Sequence, residues 1–134
     1  IIRQHGQNGS WDGFAPVVDQ DELLSWMAEV DRREIHPDVV AYIAALVRAT
    51  RGHPDLETGA SPRSGIKISR LVRALSFVRG EPFATIDHVK EVAVATLAHR
   101  VETRDATVAT ADVIKSILAK VEADPSLRSI LKRA

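Results

Sequence analysis

Apolar residues recur at spacings of three and four in successive runs between Leu23 and Val121. That period belongs to helices packed by one face, and it is the strongest constraint the chain carries. Leu23, Leu24, Met27 and Val30 follow Asp19 and Asp21, which predicts a first amphipathic helix to about Arg33. Pro37 opens a second, with Val39, Val40, Ile43, Leu46 and Val47 on its inner side and Arg51-Gly52 as a C-terminal stop. After a loop of about nine residues, Ser61-Pro62 starts a third helix. It runs to Arg79-Gly80 and carries Ile68, Leu71, Val72, Leu75 and Val78 as a continuous stripe, the expected centre of the bundle. Thr85 caps a fourth helix with Ile86, Val89, Val92, Ala93 and Leu97 inward. Thr110 caps a fifth with Ile114, Ile117, Leu118 and Val121 inward, ended by Pro125, and SLRSILKRA at 126–134 adds a further short helix or tail. Apart from the brief Val101 to Val108 connection, no strand pattern competes. The expectation is an all-α fold, a small bundle of four to five helices.

A core for such a bundle must come from Leu, Ile, Val and Ala, because aromatic residues make up only 4% of the chain. Its 134 residues suit one domain. Eighteen basic residues balance eighteen acidic ones, so no overall field draws the protein to nucleic acid or an anionic membrane, and function must be local. The longest apolar stretch, Val39 to Val47, falls well short of the roughly 20 residues a membrane helix needs. Cysteine is absent, which removes disulfides and thiolate metal sites, and the expected address is cytoplasmic. Residues 1–18 hold Gly6, Gly9, Gly13, Pro16 and a polar QNGSWDG run, the composition of a connecting strap, with Trp11 and Phe14 packing onto the helical segment after it. The chain begins Ile1-Ile2, as a piece of a longer protein does.

The helix beginnings differ in charge. Asp21 and Glu22, Asp38, Asp87 and Asp112 put carboxylates into the first turns of helices one, two, four and five, where the helix dipole favours them. Helix three places Arg63 there instead, then Lys67 and Arg70 at spacings of four and three. A helix end with free amides, a Ser61 hydroxyl cap and a guanidinium makes a cradle for an anion such as a phosphate. A solvated basic face is the alternative that spacing alone leaves open.

Gly59-Ala60-Ser61-Pro62-Arg63, followed by Arg70, Arg73-Ala74-Leu75 and Arg79-Gly80, resembles the sensor 2 helix of MoxR-type AAA+ ATPases. Its flanks are similar too: Tyr42-Ile43, Leu46-Val47 and Ala49-Thr50-Arg51 before His53-Pro54-Asp55 upstream, and TIDHVK at 85–90, His99-Arg100 and Asp112-Val113-Ile114 downstream. Gly65 and Lys67 depart from the family pattern, where more apolar or small helix-forming residues stand, and Gly65 is expected to loosen the second turn. The resemblance implies a lid domain over residues 17–125, a linker from a large AAA+ subdomain at 1–16, and a C-terminal tail at 126–134. It also implies that Arg63 reaches the γ-phosphate of ATP, with Ser61 and Lys67 beside it in the nucleotide-binding set. ATP with magnesium is then bound mainly by the large subdomain, because the chain contains no Gly-x-x-x-x-Gly-Lys-Ser/Thr loop and no strand ending in paired acids. The fragment alone is expected to be inactive, and the parent protein an ATPase. Its implied partners are the large subdomain, further copies in a homo-oligomeric, hexameric ring, and client proteins remodelled in a chaperone-like manner. Membrane and nucleic acid are not among them.

Two other classes compete. His53-Pro54-Asp55 between helices is the tripeptide of J-domain co-chaperones, which favours a free-standing helical adaptor, although residues 37–51 offer only Arg48 and Arg51 where a strongly basic helix is required. Arg63, Lys67, Arg70 and Arg73 together suit a nucleic-acid-binding helical domain. The five histidines never fall three or four apart on one helix, so no metal site is expected.

Overall fold

The computed structural model describes residues 15–123. The strap's Trp11 and Phe14, the Pro125 stop and the tail at 126–134 lie outside the described residues. Five α-helices form the bundle: α1 (Gln20–Arg32), α2 (Pro37–Arg51), α3 (Pro62–Val78), α4 (Ile86–Leu97) and α5 (Thr110–Ala123). A 3-10 turn at Ala98–Arg100 succeeds α4. The α2–α3 loop and the Val101 to Val108 connection each contribute a short strand, β1 (Leu56–Thr58) and β2 (Glu102–Thr103). They pair antiparallel with Leu56 opposite Thr103 and an irregularity before Thr58 pairs with Glu102. The loop between α2 and α3 is therefore tied to the connection after α4.

Local chemistry sets most boundaries. Asp19 accepts the Glu22 amide at 2.7 Å and starts α1. Pro37 opens α2 behind His36, whose ring accepts the Asp38 amide at 3.2 Å. Gly80, at φ 67°, ends α3: its amide donates to Phe77 O and the Glu81 amide donates to Ser76 O, both at 2.9 Å, the paired bonds of a Schellman stop. Thr85 caps α4, and His88 takes the place of the usual acid, its Nδ1 accepting the Thr85 amide at 3.0 Å. At α5 the cap shifts by one residue: Thr110 is already helical, and Ala109 O accepts from the Asp112 and Val113 amides. Just before it, the Asp105 carboxylate accepts the Thr107 amide and hydroxyl, which holds its pKa below the ordinary carboxylate value.

The core is one cluster of aliphatic side chains from α2 to α5, with Tyr42, Leu46, Ile68, Val72, Val89, Leu97 and Ile114 all fully buried. Each such side chain contributes roughly 1.5–3 kcal/mol by leaving water. Helix α3 packs against α1, α2 and α4 as the expected centre of the bundle, but its apolar stripe is not buried throughout. Helix α2 buries Val39, Tyr42, Ile43, Leu46, Val47 and Thr50, whereas α3 buries only Ser64, Ile68, Val72 and Ser76 and leaves Leu71 and Val78 exposed. Helix α1 departs further from its expected role. It buries none of its residues, and Leu23, Leu24 and Met27 are each about half exposed, at 50, 51 and 55%. It is held instead by Trp26, whose ring lies 6.4 Å from that of Phe77, and by Arg33. The Arg33 guanidinium sits 5.2 Å above Phe77 and donates to Ser76 Oγ and to the Glu81 carbonyl. No helix among the described residues is long and apolar enough to cross a membrane.

Candidate functional site

The start of α3 is fixed by the last turn of α2. Thr50 Oγ1 donates to Val47 O at 2.7 Å and accepts the Ala60 amide at 2.9 Å, while Arg51 Nε donates to Ala60 O at 3.1 Å. Ala60 is thereby held at both its amide and its carbonyl, and is fully buried. Gly59 makes this approach possible. A Cβ there would lie 2.6 Å from Arg51 Cα and 2.8 Å from both Arg51 N and Thr50 O, all backbone atoms. In the Gly-Ala-Ser-Pro-Arg string, the first two residues therefore seat the helix start and the last three form it.

Ser61 occupies the N-cap with an extended backbone, but its hydroxyl makes no hydrogen bond to the helix end, contrary to the expected cap. Capping passes to the backbone, since the Ser64 amide donates to Ser61 O at 2.9 Å. The amide cradle is narrower than expected. Pro62 has no N–H and the Ser64 amide is taken, which leaves the Arg63 amide and the side chains to offer positive charge at this end. Arg63 is exposed on the first turn, and Lys67 and Arg70 lie beyond it, also exposed, on the same stripe. No hydrogen bond or ion pair joins any of the three to another described residue.

Two grooves flank this stripe. One, of about 410 Å³, lies between α2 and α3, with an apolar floor that includes Val40, Ile43 and Ile66 and a rim of Arg48, Arg51 and Arg73. The other, of about 580 Å³, lies between α3 and α4 and carries Lys67, Arg70, His99 and Arg100 around Leu71 and Leu75. Arg73 thus parts from the basic residues with which the sequence grouped it: it faces the first groove, while Lys67 and Arg70 line the second. The four do not make one continuous strip.

The His53-Pro54-Asp55 loop is not offered to a partner. His53 is buried against α5, its Nδ1 accepting the Asp55 amide at 3.3 Å and its Nε2 lying 3.4 Å from Ser116 Oγ. Asp55 Oδ2 stands 3.8 Å from Nδ1, which completes a serine–histidine–aspartate set in composition only. Nδ1 is an acceptor here, so Nε2 bears the proton and donates towards Ser116, whose hydroxyl already donates to Val113 O at 3.0 Å. A general base needs the opposite proton flow. Among the described residues no three histidine or acidic side chains gather as a metal site would require.

Sequence reasoning missed the Thr50, Arg51 and Gly59 clamp and the Arg33 anchor. Gly59 stands out in the sequence only by its place in a motif; a glycine two positions before an N-cap is the signal that a backbone passes close by.

A sequence model of the family described as AAA lid domain matches residues 48–117, just over half of the chain. The matched span runs from the end of α2 into α5 and includes the Gly59 clamp and all of α3. The uncharacterized protein YeaC of Bacillus subtilis (strain 168) is 27% identical over 85 residues, which cover 63% of this chain and 27% of that protein. The crystal structure of an inferred ATPase from Cytophaga hutchinsonii superposes with a TM-score of 0.74 at 25% identity, over 89% of this chain and 40% of that one. The chain thus corresponds to less than half the length of either protein.

Proposed function

The chain belongs to the AAA lid domain family, and from that premise we propose that it is the helical lid of a MoxR-type AAA+ ATPase, with Arg63 as its sensor 2 arginine. An AAA+ lid implies a larger ATPase subdomain as its partner. In this reading the large subdomain holds ATP and magnesium, and the lid closes over the nucleotide so that the Arg63 guanidinium meets oxygens of the γ-phosphate. Arginine suits that task because its planar fork engages two oxygens and stays protonated at working pH. The observation that carries the reading is the state of Arg63: exposed, without a partner among the described residues, on a helix start that the Gly59 approach holds in place.

Ser61 and Lys67 extend the set. Ser61 has a hydroxyl not used by its own helix, and Lys67 stands one turn beyond Arg63 on the same stripe. The guanidinium would favour the charge that develops on the transferred phosphoryl group, and it would lose its partner when the γ-phosphate leaves. That difference in contacts biases the lid between two orientations, so hydrolysis becomes rotation of the lid against the large subdomain. Passed around a hexameric ring in the cytoplasm, the rotation would drive chaperone-like remodelling or maturation of client proteins. The co-chaperone alternative is disfavoured by the burial of His53.

The test is Arg63→Ala in the complete ATPase. ATP turnover is expected to fall by more than about tenfold, with the loss mainly in kcat, as removal of a transition-state charge partner requires. Turnover within about threefold of the parent would remove Arg63 from the mechanism, since arginine fingers supply factors of ~10³ or more.

A further inference from the structure

The fold of this chain does not require a glycine at position 65. Gly65 lies inside α3 without a positive φ, and a methyl group in its place would make only ordinary contacts, 3.5 Å from Ile43 Cγ2 and 3.6 Å from Val47 Cγ2. In a helix interior glycine is less favourable than alanine, so the missing side chain weakens α3 and serves no contact within the bundle. What it leaves is bare backbone in the groove between α2 and α3, which Gly65 lines. Glycine at such a place lets a ligand or a second backbone come close. The rest of the groove is apolar and open, with Val40 from α2 and Ile66 from α3 at 50 and 57% exposure. Its charges are all of one sign. Arg48, Arg51 and Arg73 stand on the rim, and no acidic residue lines it. None of these guanidiniums pairs with a carboxylate among the described residues, and Arg73 Nε is buried without a hydrogen-bond partner. In a chain whose eighteen basic and eighteen acidic residues balance, this is a local excess. From Val40 to Arg51 helix α2 rises by about 17 Å, roughly three turns.

We propose that the α2–α3 groove receives an acidic amphipathic helix of a partner protein. Apolar residues of that helix, spaced three and four apart, would cover Val40 and Ile66 while its backbone passes close over Gly65. Carboxylates on its flanks would meet Arg48, Arg51 and Arg73. A polyproline segment fits less well, since the aromatic residues that would grip it are absent from the lining. Nucleic acid fits less well too, because an apolar floor offers its phosphates nothing. The groove is separate from the nucleotide role proposed for Arg63, which does not line it.

The probe is a fluorescein-labelled peptide of about 14 residues, roughly four turns, with leucine at i, i+3, i+4 and i+7 and glutamate on both sides of that stripe. A second peptide keeps the leucines and carries lysine in place of every glutamate. In anisotropy titrations of the complete ATPase, the glutamate peptide is expected to bind about tenfold or more tightly than the lysine peptide and to weaken as salt rises. Arg48→Glu should weaken it about tenfold. Arg63→Ala should leave its affinity unchanged, whatever that substitution does to ATP turnover. Gly65→Leu puts a side chain into the groove, so peptide affinity should fall by more than about tenfold while the urea midpoint stays at or above that of the parent. Loss of binding without loss of stability does not come from a misfolded lid. Equal binding of the two peptides, or binding that survives Gly65→Leu, would overturn the proposal. So would an absence of binding to the complete ATPase, the result expected if another part of the same polypeptide or a second copy fills the groove.

Discussion

Gly59 and Gly65 stand six residues apart and make opposite demands. At Gly59 any side chain would meet the backbone of Thr50 and Arg51 at 2.6–2.8 Å. Nothing there can yield except the chain itself, so Gly59→Ala is expected to destabilise by about 1–3 kcal/mol. It should also lower ATP turnover in the complete enzyme, because the shift it forces is at the seat of Arg63. At Gly65 an added Cβ would lie 3.5 Å from Ile43 Cγ2 and 3.6 Å from Val47 Cγ2, an ordinary contact within an unbroken helix. Gly65 was expected to loosen the second turn of α3; it sits instead against α2 with room for a methyl group. Gly65→Ala should therefore stabilise the chain by about 0.5–1 kcal/mol, through helix propensity and a less flexible unfolded state. Urea midpoints of the two variants decide the matter, and equal signs for both would refute this geometry of α3.

Helix α1 shows what periodicity alone conveys about an element. Its apolar stripe is plain in the sequence and correctly gives a helix, yet the stripe faces outward and the helix is attached through residues the period does not mark. Arg33 and Trp26 hold it, on Phe77, Ser76 and Glu81. Apolar spacing predicts that a face is covered, and says nothing of whether the cover lies in the same bundle. Arg33→Ala removes the guanidinium from the Phe77 ring and from three oxygen acceptors, on Ser76, Glu81 and Glu29. It is expected to loosen α1 by about 1–2 kcal/mol without unfolding the rest. In a Trp11→Phe background, Trp26 emission should shift to the red while most far-UV helix signal remains. An unchanged spectrum would show that Arg33 does not anchor the helix.

At the scale of the whole molecule, the fold was legible because the core is built from the signals that sequence displays best. Ile68, Val72, Val89, Ala93, Leu97, Ile114 and Ile117 lie where their spacing placed them, all inside one cluster. What was hidden are contacts that join distant residues through backbone: the Ala60 clamp and the β1–β2 pairing. Side-chain period carries no record of these, because their partners are carbonyls and amides that every residue possesses. Of the site, the stripe Arg63, Lys67 and Arg70 was visible, whereas the narrowing of the amide cradle depended on where one hydrogen bond goes. The same division sets how the molecule opens. Helices α2 to α5 share the buried cluster, whereas α1 buries no residue. Local opening tracks burial, and amides that depend on few apolar contacts are released well below the global unfolding free energy. Native-state hydrogen exchange should show residues 23–32 exchanging first, by sub-global opening with weak denaturant dependence. Amides around Leu46, Val72, Leu97 and Ile114 should exchange last and together, through global unfolding. Should α1 instead exchange with the core in a single step, the helix would have to be held by more than Trp26 and Arg33.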